Sequence, residues 1–81
     1  MLLVDVNVCV YAIRHDSADH STYRSWLADR LVGDEPVGMS ELVLSGVMRL
    51  ITNHRVFRQP STTAQALEAC RALRTAPAAV A

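Results

Sequence analysis

The sequence contains no lysine, and all eight of its basic residues are arginines. Eight acidic residues balance them, so the formal net charge is zero and overall charge gives no reason to expect a nucleic-acid partner. Arginine suits phosphate because its planar fork is always charged, although a coding bias in a GC-rich genome is the simpler explanation of the missing lysine. Any binding of nucleic acid therefore has to come from a local patch of arginines.

Cysteine is also scarce. Cys9 and Cys70 lie far apart within apolar helical patterns, and the sequence has no CxxC spacing. This pattern excludes a recognisable zinc or redox motif and a disulfide scaffold. It predicts that both cysteines are small buried hydrophobic side chains.

Long apolar runs are missing as well. No run approaches the roughly 18 residues that a membrane span needs, and the N-terminus lacks a basic segment followed by a signal-peptide core. We therefore expect a cytoplasmic protein with no membrane partner. The 51% of hydrophobic residues and 20% of charged residues are typical of a folded domain. A chain of 81 residues has room for one small domain of marginal stability.

Short apolar segments alternate with longer segments of helical periodicity. We predict strands at residues 1–5, 37–39 and 76–81, and helices at residues 8–13, 20 to about 32, 41 to about 53 and 62–74. Residues that commonly cap helices precede the four helices, namely Asn7, Asp19, Ser40 and Ser61. The β-α-α-β-α-α-β order predicts one α/β domain over residues 1–81, with a parallel sheet joined by right-handed crossovers.

The periodicity also predicts which helical side chains face the core. These are Tyr23, Leu27 and Leu31, beside Trp26, in the second helix; Val43, Gly46, Val47 and Leu50 in the third; and Ala66, Cys70 and Leu73 in the fourth. We expect Tyr23 and Trp26 to pack in the core or against a partner rather than to stack on bases.

Asp5 closes the first predicted strand, and Asn7 follows it by two residues. Ligands of parallel α/β sheets bind beyond the carboxyl ends of the strands, where Asp5 is expected to lie. Its carboxylate is a hard oxygen ligand for Mg²⁺ or Mn²⁺, and Asn7 is placed to hold it by a hydrogen bond. The alternative is that Asp5 only caps the next helix, and the spacing alone does not separate the two.

Two further groups of polar residues are candidates for a site. His15 and His20, with Asp16 and Asp19 nearby, suggest a metal cluster, but loop polarity and helix capping explain them better. The only basic cluster comprises Arg49, Arg55 and Arg58, with His54 and Phe57 interleaved. These arginines are candidate contacts to RNA phosphates, and a solvated loop is the equal alternative.

Several segments, in order, resemble the PIN-domain nucleases, in particular the VapC toxins of bacterial toxin–antitoxin pairs. They read MLLVDVNVCVYA, HDSADHSTYRSWL, PVGMSELVLSGVMRLITN and HRVFRQPSTTAQALEACRALR. The resemblance implies a PIN-like parallel sheet sandwiched by helices, and a metal-dependent endoribonuclease whose clustered acids hold one or two Mg²⁺ or Mn²⁺ ions. It also implies an RNA substrate, a VapB-like antitoxin as partner and, as a further expectation, a homodimer.

Within this resemblance, Asp5 matches the first acid of the family and Asn7 the polar residue that follows it. The second family acid usually stands where this sequence has residues 44–46, which contain no carboxylate. Glu41, one helical turn earlier, is the candidate replacement, and its alternative role is a favourable charge in the first turn of a helix.

The family carries further acids after the third strand, in segments that the 81 residues do not include. We therefore expect a domain truncated on its C-terminal side, with reduced or no nuclease activity. A non-catalytic remnant that still binds antitoxin is the alternative.

A phosphotransfer domain is a third hypothesis, since haloacid dehalogenase-like phosphatases and response-regulator receivers also place an aspartate after the first strand. The phosphatases need a second aspartate where Asn7 stands. Receivers need an acidic pair ahead of a similar strand, which residues 1–4 do not supply. This hypothesis is the weakest of the three.

Overall fold

A computed structural model describes all 81 residues of the chain. Its element order is the predicted β-α-α-β-α-α-β, so the α/β class is confirmed. The elements are β1 (Leu2–Leu3), α1 (Val6–Ile13), α2 (His20–Leu31), β2 (Val37–Gly38), α3 (Glu41–Ile51), α4 (Thr63–Arg74) and β3 (Ala79–Val80).

The three strands form one parallel sheet in the order β1-β2-β3. Leu2 pairs with Val37, which pairs with Ala79, and the next residue of each strand follows in the same register. Because parallel strands end at the same edge of a sheet, the residues that leave β1 and β2 start side by side. This edge is where Asp5 and Glu41 leave the sheet.

The two faces of the sheet differ in burial. Val37 is fully buried on one face, whereas Leu3 and Val80 on the other are 77% and 41% exposed. Gly38 lies between those two residues, and a Cβ atom there would stand 2.9 Å from Cδ2 of Leu3. A larger residue at this position would require the exposed side chain of Leu3 to move aside.

One apolar core unites the helices with the buried face of the sheet. The predicted inward residues of α4 are confirmed, because Ala66, Cys70 and Leu73 are all buried. In α2, Leu27 is buried and Trp26 is 42% exposed. The fourteen buried residues of this core are Val4, Cys9, Val10, Ala12, Leu27, Val37, Met39, Leu44, Val47, Ile51, Ala66, Cys70, Leu73 and Ala78.

The inward face of α3 is only partly as predicted. Val47 is fully buried, while Val43 and Leu50 are half-buried against the core. The most deeply buried residues of α3 also include Leu44 and Ile51, since α3 packs against both α1 and α4. Gly46 instead faces α1, where a Cβ atom would stand 3.1 Å from Cγ2 of Val6.

Two of the predicted helix caps are correct in position. Ser40 caps α3, and its Oγ accepts the backbone N–H of Val43 at 3.3 Å. Asp19 stands before α2, but the prediction that its side chain caps the helix is wrong. Asp19 has a left-handed backbone with φ of 55°, and its side chain makes no capping hydrogen bond.

The other two predicted caps are wrong by one or two residues. α1 begins at Val6 rather than after Asn7, and Asp5 caps it. α4 is capped by Thr62 rather than Ser61, and Thr62 and Gln65 form a reciprocal capping box. In both cases the better cap is the residue whose side-chain oxygen reaches an unpaired N–H of the first turn.

Both cysteines are free and buried, as predicted. None of the four helices is long enough and apolar enough to cross a bilayer.

Candidate metal centre and nucleic-acid interface

Asp5 joins β1 to α1 and has an exposed side chain. Its Oδ1 accepts the backbone N–H of Asn7 at 3.1 Å, and its carbonyl oxygen accepts the N–H of Val8 at 3.0 Å. The hydrogen bond expected from Asn7 therefore exists, but its donor is the main chain. A carboxylate has about four acceptor positions, so Asp5 caps α1 and still presents oxygen atoms to solvent.

The thiol of Cys9 lies in the core behind Asp5 and is fully buried. Burial, followed by the nearby Cys70 and the charge of Asp5, raises the pKa of Cys9 to about 11. Burial also raises the pKa of Cys70, whose Sγ donates to the carbonyl oxygen of Leu44 at 3.6 Å. Both groups are therefore neutral thiols in the folded chain at physiological pH.

Glu41 is the first residue of α3 and is exposed. Its position in the first turn is the one predicted, and both of its predicted roles remain predictions. It lines a groove of about 360 Å³ between α3 and α4. The other lining residues are Leu44, Ser45, Met48, Leu67, Cys70, Arg71 and Arg74.

The donors at this edge of the sheet fit part of a metal site. No group of three His, Cys, Asp or Glu side chains is placed to hold a metal ion. Mg²⁺ is commonly bound through only one or two carboxylates, with water and substrate phosphates completing its shell. Asp5 fits a first carboxylate ligand of this kind, and Glu41 leaves the neighbouring strand at the same edge.

His15 and His20 pack against each other, with ring centroids 4.6 Å apart. Nδ1 of His20 is 2.9 Å from the carbonyl oxygen of Tyr11, so one ring nitrogen of His20 is already engaged. The ring of Tyr11 in turn lies 5.1 Å from that of Tyr23. These residues join the end of α1 to the start of α2.

Arg49, Arg55 and Arg58 are exposed, and none of them forms an ion pair. Arg49 lies in the last turn of α3, and the other two lie in the connection between α3 and α4. The N–H of Arg55 donates to Oδ1 of Asn53 at 2.8 Å, which orders the start of that connection. Their contact with RNA stays a prediction.

Arg14 is the residue that sequence reasoning missed. Its guanidinium donates to both carboxylate oxygens of Asp16, at 3.0 and 2.7 Å, and lowers the pKa of that carboxyl. The same group donates to Oγ of Ser61 at 3.0 Å and to the carbonyl oxygen of Gln59 at 2.7 Å. Arg14 thereby ties the end of α1 to the connection that carries Arg55 and Arg58.

The chain is similar to several VapC ribonucleases of mycobacteria. It is 48% identical over 80 residues to VapC ribonuclease Mb2897 of Mycobacterium bovis, covering 99% of this chain and 54% of that protein. The same figures hold for ribonuclease VapC43 of Mycobacterium tuberculosis. Ribonuclease VapC25 of that organism is 39% identical over 77 residues, with 95% and 54% covered.

No family model matches the sequence. The chain spans about half the length of the curated relatives it matches.

Proposed function

The chain belongs to the VapC family of PIN-domain proteins, and we propose that it carries the first ligand of a magnesium- or manganese-dependent endoribonuclease centre. The observation that supports this proposal is the exposed carboxylate of Asp5 at the end of a parallel strand. That edge is where α/β sheets bind their ligands.

In this proposal, each residue at the sheet edge has a different role. Asp5 binds the cation, and the N–H of Asn7 fixes the orientation of its carboxylate through the hydrogen bond to Oδ1. Glu41 supplies an oxygen from the start of α3. When bound, a divalent cation lowers the pKa of a bound water and stabilises charge on the scissile phosphate. The exposed Arg49, Arg55 and Arg58 contact RNA phosphates.

We further propose that the 81-residue chain by itself has reduced or no nuclease activity. It places one or two carboxylates at the candidate centre and no cluster of three ligands, and a low ligand and charge count weakens cation binding. RNA incubated with the chain and Mn²⁺ or Mg²⁺ should be cleaved slowly or not at all. Robust dication-dependent cleavage that Asp5→Asn abolishes would refute the reduced activity while supporting the site.

Calorimetric titration with Mn²⁺ tests the metal site directly. We expect weak binding that is lost in Asp5→Asn and reduced in Glu41→Gln. Asp29→Asn is the matched control, since Asp29 is an exposed acid of α2 that lies beside Leu2 and Val37, where β1 and β2 begin, at the opposite edge of the sheet from Asp5. If Asp29→Asn weakens binding as much as Asp5→Asn, Mn²⁺ is responding to general surface charge and the proposed centre is wrong.

The second candidate is a non-catalytic module of the same family that binds a VapB-like antitoxin. The sparse donor set at the sheet edge favours it. Co-purification with the small protein encoded immediately upstream tests this partner. A catalytically silent chain that forms this complex supports the module over the enzyme. The homodimer stays a prediction, which sedimentation equilibrium tests through the molar mass.

A further inference from the structure

Arg71 and Arg74 lie three residues apart in the last turn of α4, which places them on the same side of that helix. Both are exposed and both line the groove between α3 and α4. Neither guanidinium is within ion-pair distance of an acid, because the chain's two ion pairs are Met1 with Glu35 and Arg14 with Asp16. The groove therefore holds two arginines that form no ion pair.

The other residues of the groove suit an extended ligand that has both polar and apolar groups. Ser45 offers a hydroxyl group from α3, and Leu67, which is 57% exposed, and Met48 supply apolar surface. Arginine recognises phosphate through paired N–H donors, and apolar side chains accept the faces of bases. A duplex keeps the faces of its bases stacked, so contacts of this kind favour a single strand in the groove of about 360 Å³.

Glu41 lines the same groove and is the one carboxylate in it. Alone, its charge repels a phosphate group, so it opposes the two arginines in the absence of a dication. A nucleic acid in the groove would have its backbone beside Arg71 and Arg74 and would pass Glu41, the proposed second metal ligand. This links the arginine pair to the proposed centre.

We infer that the groove between α3 and α4 binds the phosphate backbone of single-stranded RNA, with Arg71 and Arg74 as the contacting residues. The inference rests on the proposed ribonuclease function and adds a binding surface distinct from Arg49, Arg55 and Arg58. The position of two arginines at a helix C-terminus is also favourable to the helix dipole, so the test has to separate RNA binding from helix stability.

The experiment measures binding of a fluorescein-labelled single-stranded RNA to the 81-residue chain by fluorescence anisotropy, in EDTA and across a salt series. R71Q/R74Q removes both charges and keeps side-chain length. R24Q/R30Q is the matched control, because it removes two exposed arginines from α2. Circular dichroism melting of each variant verifies that it is folded, and the single variant R74Q guards against misfolding of the pair.

We expect R71Q/R74Q to weaken RNA binding about tenfold or more. The slope of log affinity against log salt should fall by about 1.4, as expected when two phosphate contacts to a single strand are lost. R74Q should show about half of that change in slope. R24Q/R30Q should keep the wild-type slope, and Glu41→Gln should bind more tightly than wild type in EDTA.

If R71Q/R74Q binds RNA with wild-type affinity, the inference is overturned. The groove would then bind another ligand, such as an acidic protein segment. RNA bound through Arg55 and Arg58 would still agree with the proposed function. An equal loss in R24Q/R30Q, or weaker binding by Glu41→Gln in EDTA, also overturns the inference. If the wild-type chain does not bind RNA, both this inference and the proposed ribonuclease function are overturned. A failure of the proposed metal centre alone is detected by a different experiment, the Mn²⁺ titration.

Discussion

The guanidinium carbon of Arg14 lies 4.3 Å from the centroid of the Phe57 ring. The same group is only 13% exposed and is bound on its edges by Asp16, Gln59 and Ser61. A planar cation is needed for this arrangement, because its face covers the ring while its edge donates in several directions. The segment that follows α3 is thus fixed to the end of α1.

Arg14→Lys should therefore destabilise the fold by about 1–2 kcal/mol, because an ammonium group keeps the charge but loses the two-pronged pairing and the stacking. Urea unfolding measures this change. Arg24→Lys is the control, since Arg24 is exposed and makes no hydrogen bond or ion pair through its side chain. Equal stability of the two variants would show that the contacts of Arg14 contribute little.

Alkaline pH should destabilise the chain through Cys9. Its pKa is raised from 9.0 to about 11 in the folded state, chiefly by burial. A raised pKa means that the unfolded chain ionises first, so the stability is complete below pH 9.0 and is lost as the pH rises toward about 11. The loss should reach about 3 kcal/mol, since each pKa unit corresponds to about 1.4 kcal/mol.

Urea unfolding at a series of pH values from neutral to alkaline measures this dependence. Cys9→Ala is the control, because it removes the thiol of Cys9 and leaves Cys70 and the other ionisable groups in place. Its stability at neutral pH should be lower but its alkaline decline shallower. A decline as steep as that of the wild type would assign the effect to other groups.

Gly46→Ala should destabilise the fold by about 1 kcal/mol, although alanine is the better helix former by a similar amount. The added Cβ would stand 3.1 and 3.3 Å from the two methyl carbons of Val6. A β-branched side chain such as Val6 has little freedom to rotate away, so α1 has to shift, and Asp5 with it.

Making the same substitution in a Val6→Ala variant separates the effect of helix propensity at residue 46 from the effect of steric contact with Val6. There the clash is absent, and Gly46→Ala should become stabilising by up to about 1 kcal/mol. Thermal melting of the four proteins in this cycle gives the coupling. Additive effects would mean that the two residues do not meet.

The two roles of Asp5 should separate by substitution. Asn is as good a helix cap as Asp, so Asp5→Asn should change the unfolding free energy by less than about 0.5 kcal/mol, whereas Asp5→Ala should cost about 1 kcal/mol. Chemical denaturation of both variants provides the comparison. If Asp5→Asn is as destabilising as Asp5→Ala, the loss of Mn²⁺ binding in Asp5→Asn cannot be assigned to the ligand alone.

Local patterns were sufficient for the class of fold and for the position of Asp5. Apolar runs and helical periodicity are properties of neighbouring residues, so the seven elements and their order follow from them. The inward face of α4 was equally clear, since Ala66, Cys70 and Leu73 recur at helical spacing. The helix caps were less certain because several polar residues compete at each helix start.

The backbone conformation of Asp19 is not predicted by the local sequence pattern. An aspartate before a helix predicts a cap, yet the chain reaches α2 through a left-handed residue whose side chain makes no capping bond. The next residue, His20, has its Nδ1 2.9 Å from the carbonyl oxygen of Tyr11, where α1 meets α2. The residue type alone does not specify this backbone, because aspartate is favoured both as a helix cap and in the left-handed region.

By itself, the sequence determined an α/β domain, a strand-end carboxylate and the resemblance to VapC toxins, because each depends on residues that are adjacent or regularly spaced. Only the tertiary structure decided that Arg14 binds Ser61, 47 positions away. It also decided that Glu41 shares a groove with Arg71 and Arg74. Such contacts depend on the relative rotation and approach of packed helices, which small residues such as Gly46 permit and which no short stretch of sequence specifies.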